Sequence, residues 1–357
     1  MTNRERIVNT VLGRDIDRQP FFFFFGPWPE TVERWKAEGM KSDMGWREGF
    51  GFDAGIEIVS VNLGYCPAFT EEILEEKADT RILRDAFGIV QEVRRHGSSI
   101  PNYLDYPVKT AADWEDLKQR LDPHDPARFP VDWEALTRQY NAGEALMQLG
   151  SYPYGLFGTL RDMMGVETLL LMFYDDPDLI RDMMNYLTDF WIAIYEKVCR
   201  DVKVQAIHMW EDMSGRNGPL ISPQMVRDFM VPNYRRIRDF ADARDIPILS
   251  LDTDGDCSSL LPLYQEAGIN LVFPFEVAAG SDVVAYRQQF PHLCLMGGID
   301  KLEIAKGPAA IDRELDRVQP ILQGPKYIAA LDHLMHPEIA WEDYQYFVRQ
   351  LKQRVGA

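Results

Sequence analysis

A rhythm repeated eight times along the chain constrains its fold more than any other feature: a short apolar run, a polar or glycine-rich exit, then an amphipathic stretch. The runs are Phe21–Phe25, Ala54–Val61, Ala145–Leu149, Val204–Trp210, Ile246–Leu251, Ile269–Phe273, His292–Met296 and Tyr327–Leu331. Unbroken hydrophobicity of this kind is what a strand covered on both faces requires. Between the runs, apolar residues recur at three- and four-residue spacing, as in Pro177–Val198, Pro223–Ala243 and Ser281–Gln289, which predicts helices. Asp176-Pro177 and Ser222-Pro223 read as helix starts, an N-cap side chain followed by Pro at the first helical position. Strands alternating with helices predict a parallel sheet with right-handed crossovers. Eight such units favour an α/β fold closed into a (β/α)8 TIM barrel, a single domain spanning residues 1–357. An open doubly wound sheet should instead carry a glycine-rich phosphate loop after its first strand. Gly26-Pro27-Trp28-Pro29 is not one, and the chain has no GxGxxG or Walker A pattern. Residues Ile82–Val108 interrupt the rhythm. Leu83–Val93, with Asp85 and Gly88 at the turn, reads as a β-hairpin excursion after the second strand, either a surface decoration or a lid over one end of the barrel.

Composition narrows the partners. A net charge of −18 repels nucleic acid and anionic lipid, so neither is expected as a partner. The longest apolar runs fall far short of the roughly 20 residues that span a bilayer. The four cysteines, Cys66, Cys199, Cys257 and Cys294, never stand at CxxC spacing, and the charged start Met1-Thr2-Asn3-Arg4 is no signal peptide. A reducing, cytoplasmic compartment with free thiols is the expectation.

In barrel enzymes the chemistry sits where the strands exit at their carboxyl ends. Here the exits are Asn62, Ser151–Tyr154, Glu211-Asp212 with His208 just inside, Asp252–Asp256, Pro274-Phe275-Glu276, Gly297–Asp300 and Asp332-His333. They make a rim of carboxylates, Glu211, Asp212, Asp252, Asp254, Glu276, Asp300 and Asp332, among the aromatics Trp28, Tyr152, Tyr154 and Phe275. Basic groups are scarce there, chiefly Arg161, Arg216 and the histidines. Clustered carboxylates must be protonated, paired with a cation or bound to a metal, so the rim points to a metal site or a cationic substrate. Any one Asp at a strand exit is more often a helix cap or an Asx turn. Asp252 and Asp254, at i and i+2 of a strand, point the same way. They can hold a divalent cation, or zinc if His208 or His333 joins them. His333 is the general acid/base candidate, with Asp332 and Asp300 expected close by. Gly297-Gly298 would let backbone approach a ligand.

Several of these segments resemble the uroporphyrinogen decarboxylase superfamily. They are Glu211-Asp212-Met213-Ser214-Gly215 with Gly218–Pro223 and Val231–Tyr234, then Asp254-Gly255-Asp256 with Leu260-Leu261-Pro262, then Gly268-Ile269-Asn270 and Pro274-Phe275-Glu276, then Met296–Asp300, then Asp332-His333 with Pro337-Glu338-Ile339 and Trp341–Tyr344. The resemblance covers nearly the whole chain and implies the barrel. It also implies one of two activities: decarboxylation of uroporphyrinogen without a cofactor, or methyl transfer to or from a corrinoid protein with zinc activating a thiol. The chain departs from both patterns. The decarboxylases grip their carboxylate-rich substrate with an N-terminal arginine-rich loop, whereas Phe25–Glu30 carries no arginine and the rim is acidic. The thiol-activating enzymes carry His-x-Cys-Gly after strand five and a later Cys; here those positions read Asp252, Asp254 and Leu331.

The resemblance therefore points to the methyltransferase-like branch, an enzyme moving a methyl group between a small substrate and a corrinoid or pterin carrier. His333, Glu211 and Asp212 are expected to be catalytic. Arg161, Tyr152, Trp28, Glu276 and Asp300 are expected to bind substrate, and Asp252, Asp254 and His208 to bind a divalent metal, zinc or another. A corrinoid protein is the expected partner, and a homodimer fits the family. The alternatives are a decarboxylase-type lyase in tetrapyrrole biosynthesis and a non-catalytic barrel that binds a tetrapyrrole or a protein.

Overall fold

The computed structural model describes residues 1–41, 43–96 and 100–357. Its central sheet is parallel throughout, and seven of the eight predicted runs supply its strands. These are β1 (Ile56–Ile58), β6 (Leu146–Leu149), β7 (Ala206–Trp210), β10 (Ile248–Thr253), β11 (Leu271–Pro274), β12 (Cys294–Met296) and β13 (Tyr327–Ile328), paired in that order. Every residue of β6 and β10 is buried, as a strand packed on both faces must be.

The first run departs from expectation. Phe21–Phe25 forms no ladder, because side chains take the backbone groups a neighbouring strand would have used. The Phe21 N–H donates to Asp53 Oδ2 at 2.9 Å, and the Phe23 carbonyl accepts from Arg47 at 2.7 Å. The run nevertheless lies between the two edges of the sheet. The Asp53 N–H donates to the Phe21 carbonyl just ahead of β1, and Pro27 bridges in parallel to Met335, just beyond β13. The Phe24 ring reaches His208 on β7 and Phe273 on β11, with centroids 5.9 and 4.8 Å away, so the sheet curves round it.

The excursion is larger than a hairpin. β2 (Glu72–Glu76), β3 (Thr80–Arg84), β4 (Val90–Arg94) and β5 (Asn102–Asp105) form an antiparallel sheet in sequence order, which begins ahead of the predicted Ile82 start. Asp85 makes the β3–β4 turn as expected, accepting from the N–H groups of Phe87 and Ile89, with Gly88 at φ 81°. Residues 97–99 of the predicted excursion lie outside the described residues.

The helix starts at Asp176 and Ser222 form as read, each side chain accepting an N–H from the first turn. Pro223–Ala243 is not one regular helix. It widens to a π-type turn over Val226–Met230 before Val231–Ala243, since Pro232 has no N–H to continue the ladder. A two-stranded pair, β8 (Ser214–Gly215) and β9 (Gly218–Pro219), follows β7 and carries the exposed Arg216 away from the sheet. Among the described residues no helix is long and apolar enough to cross a membrane.

Candidate active site at the carboxyl ends of the strands

Because the sheet is parallel, the exits of β6, β7, β10, β11, β12 and β13 share one end, and there the predicted residues sort into distinct groups.

The first group belongs to β10 and the segment after β13. His333 Nε2 lies 3.4 Å from Asp254 Oδ1, and the imidazole stacks on Phe25 with centroids 4.9 Å apart. Burial disfavours charge on this imidazole, but the Asp254 carboxylate outweighs it, and Glu276 adds to the effect. The net result is a pKa above the ordinary imidazole value. Asp252, two residues back on the same face, is 4% exposed, and no hydrogen bond from the protein reaches its carboxyl among the described residues. Burial, then the charges of Asp254, Asp212 and Glu276, push its pKa well above the usual carboxylate range.

The second group lies at the exits of β6 and β7. Arg161 donates to Asp212 Oδ2 at 2.6 Å and to the Asp212 carbonyl at 2.8 Å, and its guanidinium lies 4.7 Å over Trp210. Asp212 takes a left-handed backbone, φ 39°, to present both oxygens. Tyr152 packs edge-on against Trp210 at 4.6 Å and is 65% exposed. Asp162 was not foreseen. Burial, opposed by Arg161 and reinforced by Asp85 and Asp212, raises it to about 6. The influence of Asp85 sets the β3–β4 turn beside this part of the mouth.

The third group was missed around a single residue. Lys301, buried, reaches Asp332 at 3.3 Å and Glu276 at 3.6 Å. Asp332 also accepts the N–H groups of Lys301 and Val277, and Glu276 accepts that of Gly255. One cation thus ties together the exits of β10, β11, β12 and β13. The available signal was a lone lysine directly after a strand exit in an acidic rim.

Other expected residues have different work. Glu211 has no exposed surface. Its oxygens accept from the N–H groups of Leu156, Phe157 and Gly158 and from the Tyr234 hydroxyl, so it anchors a helix and has no free face for a substrate. Burial raises its pKa to about 7 against those donors. Asp300 caps the helix Lys301–Ile304 through the Leu302 N–H. Trp28 lies by the His336 ring, 5.8 Å away, and donates its backbone N–H to Met335. Phe275 is buried against Tyr286 and is not a rim residue. Gly297 and Gly298 serve packing: a Cβ on Gly297 would stand 2.1 Å from the Pro274 carbonyl oxygen. The expected neighbours of His333 are replaced by Asp254 and Phe25.

The metal set is not brought together. Among the described residues no three His, Cys, Asp or Glu side chains are placed to hold one ion. His208 Nδ1 is 3.0 Å from Ser250 Oγ, its ring stacks on Phe273, and burial lowers its pKa to about 3. With His208 bonded to Ser250 and stacked on Phe273, and oxygen ligands where thiolates would stand, these residues do not fit a zinc centre of the thiol-activating kind.

Comparison with known proteins adds the following. A family model described as Uroporphyrinogen decarboxylase (URO-D) matches residues 71–354. No curated protein matches by sequence. Among solved structures, a methyltransferase from Methanosarcina mazei superimposes with a TM-score of 0.60 at 14% identity, over 99% of this chain and 99% of that one. A B12-independent methionine synthase from Shewanella sp. W3-18-1, in complex with selenomethionine, overlaps 62% of this chain and 65% of its own at 10% identity and a TM-score of 0.38, too loosely to carry an argument. The first likeness shows a shared fold along the whole chain.

Proposed function

The chain belongs to the uroporphyrinogen decarboxylase family, and on that premise we propose that it is a cytoplasmic methyltransferase, moving a methyl group between a small substrate and a corrinoid or pterin carried by a partner protein. In this reading the sheet closes through Phe21–Phe25 into one (β/α)8 barrel that pairs as a homodimer. The observation that carries the reading is the charge of the mouth. Arg161 is committed to Asp212, and Lys301 to Asp332 and Glu276, while burial and its acidic neighbours raise the pKa of Asp252. Such a mouth spends its cations on its own carboxylates and not on those of a polycarboxylate tetrapyrrole, which disfavours the decarboxylase alternative.

A carrier of either kind supplies the centre that exchanges the methyl group. This chain supplies the proton chemistry at the other end of the bond. Removing a methyl from a neutral heteroatom leaves a poor anionic leaving group unless a proton arrives with it. His333, whose pKa Asp254 raises, and Asp252, whose pKa burial and its acidic neighbours raise, are the acids available for that task. Phe25 fixes the imidazole plane, and Phe273 and Phe24 keep water from the floor. Arg161, Tyr152 and Trp210 form a side wall that orients the rest of the substrate.

The test is direct. Purified protein is mixed with cob(I)alamin and candidate methyl donors, and methylcobalamin is followed by its absorbance. Transfer that falls at least about a hundredfold in His333→Gln, the range of a lost general acid, supports the reading. Efficient release of carbon dioxide from uroporphyrinogen would overturn it.

A further inference from the structure

We infer that the carboxyl end of β10 is the seat of a protonated methylated amine, whose N–H groups supply the hydrogen bonds that the protein leaves unmade at Asp252 and Asp254. This deepens the methyl-transfer reading and rests on it for the fate of the methyl group.

Buried polar groups are almost always hydrogen-bonded. Asp252 is not, among the described residues, although it is 4% exposed. Asp254 Oδ1 is buried with no hydrogen bond, only the approach of His333 at 3.4 Å, long for a charge-assisted bond. Among the described residues Asp252 has no donor and Asp254 has only the long approach of His333, while the nearby cations are engaged elsewhere. Arg161 is committed to Asp212, and Lys301 to Asp332 and Glu276.

The direction of Asp252 follows from strand alternation. Ser250, two residues earlier, faces His208, which lies against Phe24 and Phe273. Asp252 points to the same side, one step nearer the mouth. A group seated there meets the Phe25–His333 stack and the Phe273 ring. Aromatic faces beside carboxyls attract a compact organic cation. An ammonium with at least one N–H fits better than a quaternary ion, which gives the two carboxyls no donor. It also fits better than a bare metal ion, for which no third ligand converges among the described residues.

The chemistry balances. The amine enters already protonated, as alkylamines are at neutral pH, and sits as an ammonium between the two carboxyls. The carbon–nitrogen bond then breaks with its electron pair going to nitrogen. The departing amine is neutral, and a lone pair on the nucleophilic centre of the carrier forms the new bond to carbon. No oxidant or reductant is needed in that step.

Calorimetry on the full chain tests the assignment, with dimethylammonium chloride as the probe and tetramethylammonium and 2-propanol as controls. Dimethylammonium should bind at least about tenfold more tightly than either control, and Asp252→Asn and Asp254→Asn should each cost it about tenfold. The melting profile, recorded alongside, guards against misfolding, and either Asn variant alone suffices if the other fails to fold. Equal binding of 2-propanol or tetramethylammonium, no binding of dimethylammonium, or unchanged affinity in a folded Asn variant would overturn it. Methyl transfer from some other donor without dimethylammonium binding sinks the amine assignment and spares the transferase reading. Carboxyl-dependent dimethylammonium binding with no transfer to any carrier supports the seat and sinks that reading.

Discussion

At His333 two effects compete. Burial disfavours the imidazolium, and the Asp254 carboxylate favours it more, so the folded pKa sits above the ordinary value. A raised imidazole pKa stabilises the fold fully below the unfolded value, and the contribution is lost as pH rises through the folded one. Asp254→Asn leaves burial unopposed by its nearest carboxylate. The His333 proton resonance should then titrate at lower pH than in the parent, and the alkaline limb of the activity profile should move down with it. An unmoved titration would show that the 3.4 Å pair does not form in solution. Lys301 makes a second case. Lys301→Met removes the cation from Asp332, which has no exposed surface, and should cost about 3–5 kcal/mol at neutral pH by urea unfolding. Asp332 already has a raised pKa through burial, so the deficit should shrink as pH falls and the carboxyl protonates. The two residues also differ in legibility. Asp252, Asp254 and His333 stand at strand exits and could be named from position alone. The partners of Lys301 come from separate strand ends, a coincidence that only the folded sheet creates.

At the scale of elements, the helix Leu156–Met164 is held by its first turn. Its leading N–H groups would be orphans without the Glu211 carboxylate. The approach is close: a Cβ on Gly155 would stand 1.8 Å from the Trp210 carbonyl oxygen, and one on Gly158 2.4 Å from it. Gly155→Ala therefore forces the helix off β7 and should destabilise by about 1–3 kcal/mol. Glu211→Ala should cost more, about 3–5 kcal/mol, because it strands several buried donors at once. Chemical denaturation of both variants checks the order; a Glu211→Ala change under 1 kcal/mol would mean that water replaces the carboxylate. The same packing explains what could be read from sequence. Runs such as Ile246–Leu251 and Val204–Trp210 became β10 and β7 with ends moved by a few residues, because local pattern and burial agree there. Phe21–Phe25 has a stronger strand composition than either. It fails to pair because Asp53 and Arg47, distant in sequence, occupy its backbone groups. Non-local side-chain capping of this kind leaves no periodic trace.

For the whole molecule the open matter is the seam between β1 and β13, and Asp53 is placed to decide it. Its carboxylate accepts the Phe21 N–H at 2.9 Å and Arg18 Nη1 at 2.9 Å, and it stands 3.5 Å from Arg6 in the first helix. Phe21 stacks on Phe52, with centroids 4.5 Å apart, so the run is fixed to the segment leading into β1 by ring and by charge. On the far side it meets the segment after β13 through the Pro27–Met335 bridge, the Thr31 hydroxyl, which donates to the Met335 carbonyl, and the Phe25–His333 stack. Asp53→Ala should cost about 3–5 kcal/mol, since Arg18 and Arg6 lose a buried carboxylate together. Its spread reports the closure. In a closed barrel the run is a shared wall, and hydrogen exchange should quicken both at Ile56–Ile58 and across 327–335. In an open sheet the two edges are independent, and faster exchange should stop near Phe21–Trp28 and β1. Exchange rates mapped peptide by peptide separate these outcomes. The second result would mean that Phe21–Phe25 is a plug laid against a curved sheet, with His333 held in place by Phe25 stacking and Asp254 and not by a continuous wall of strands.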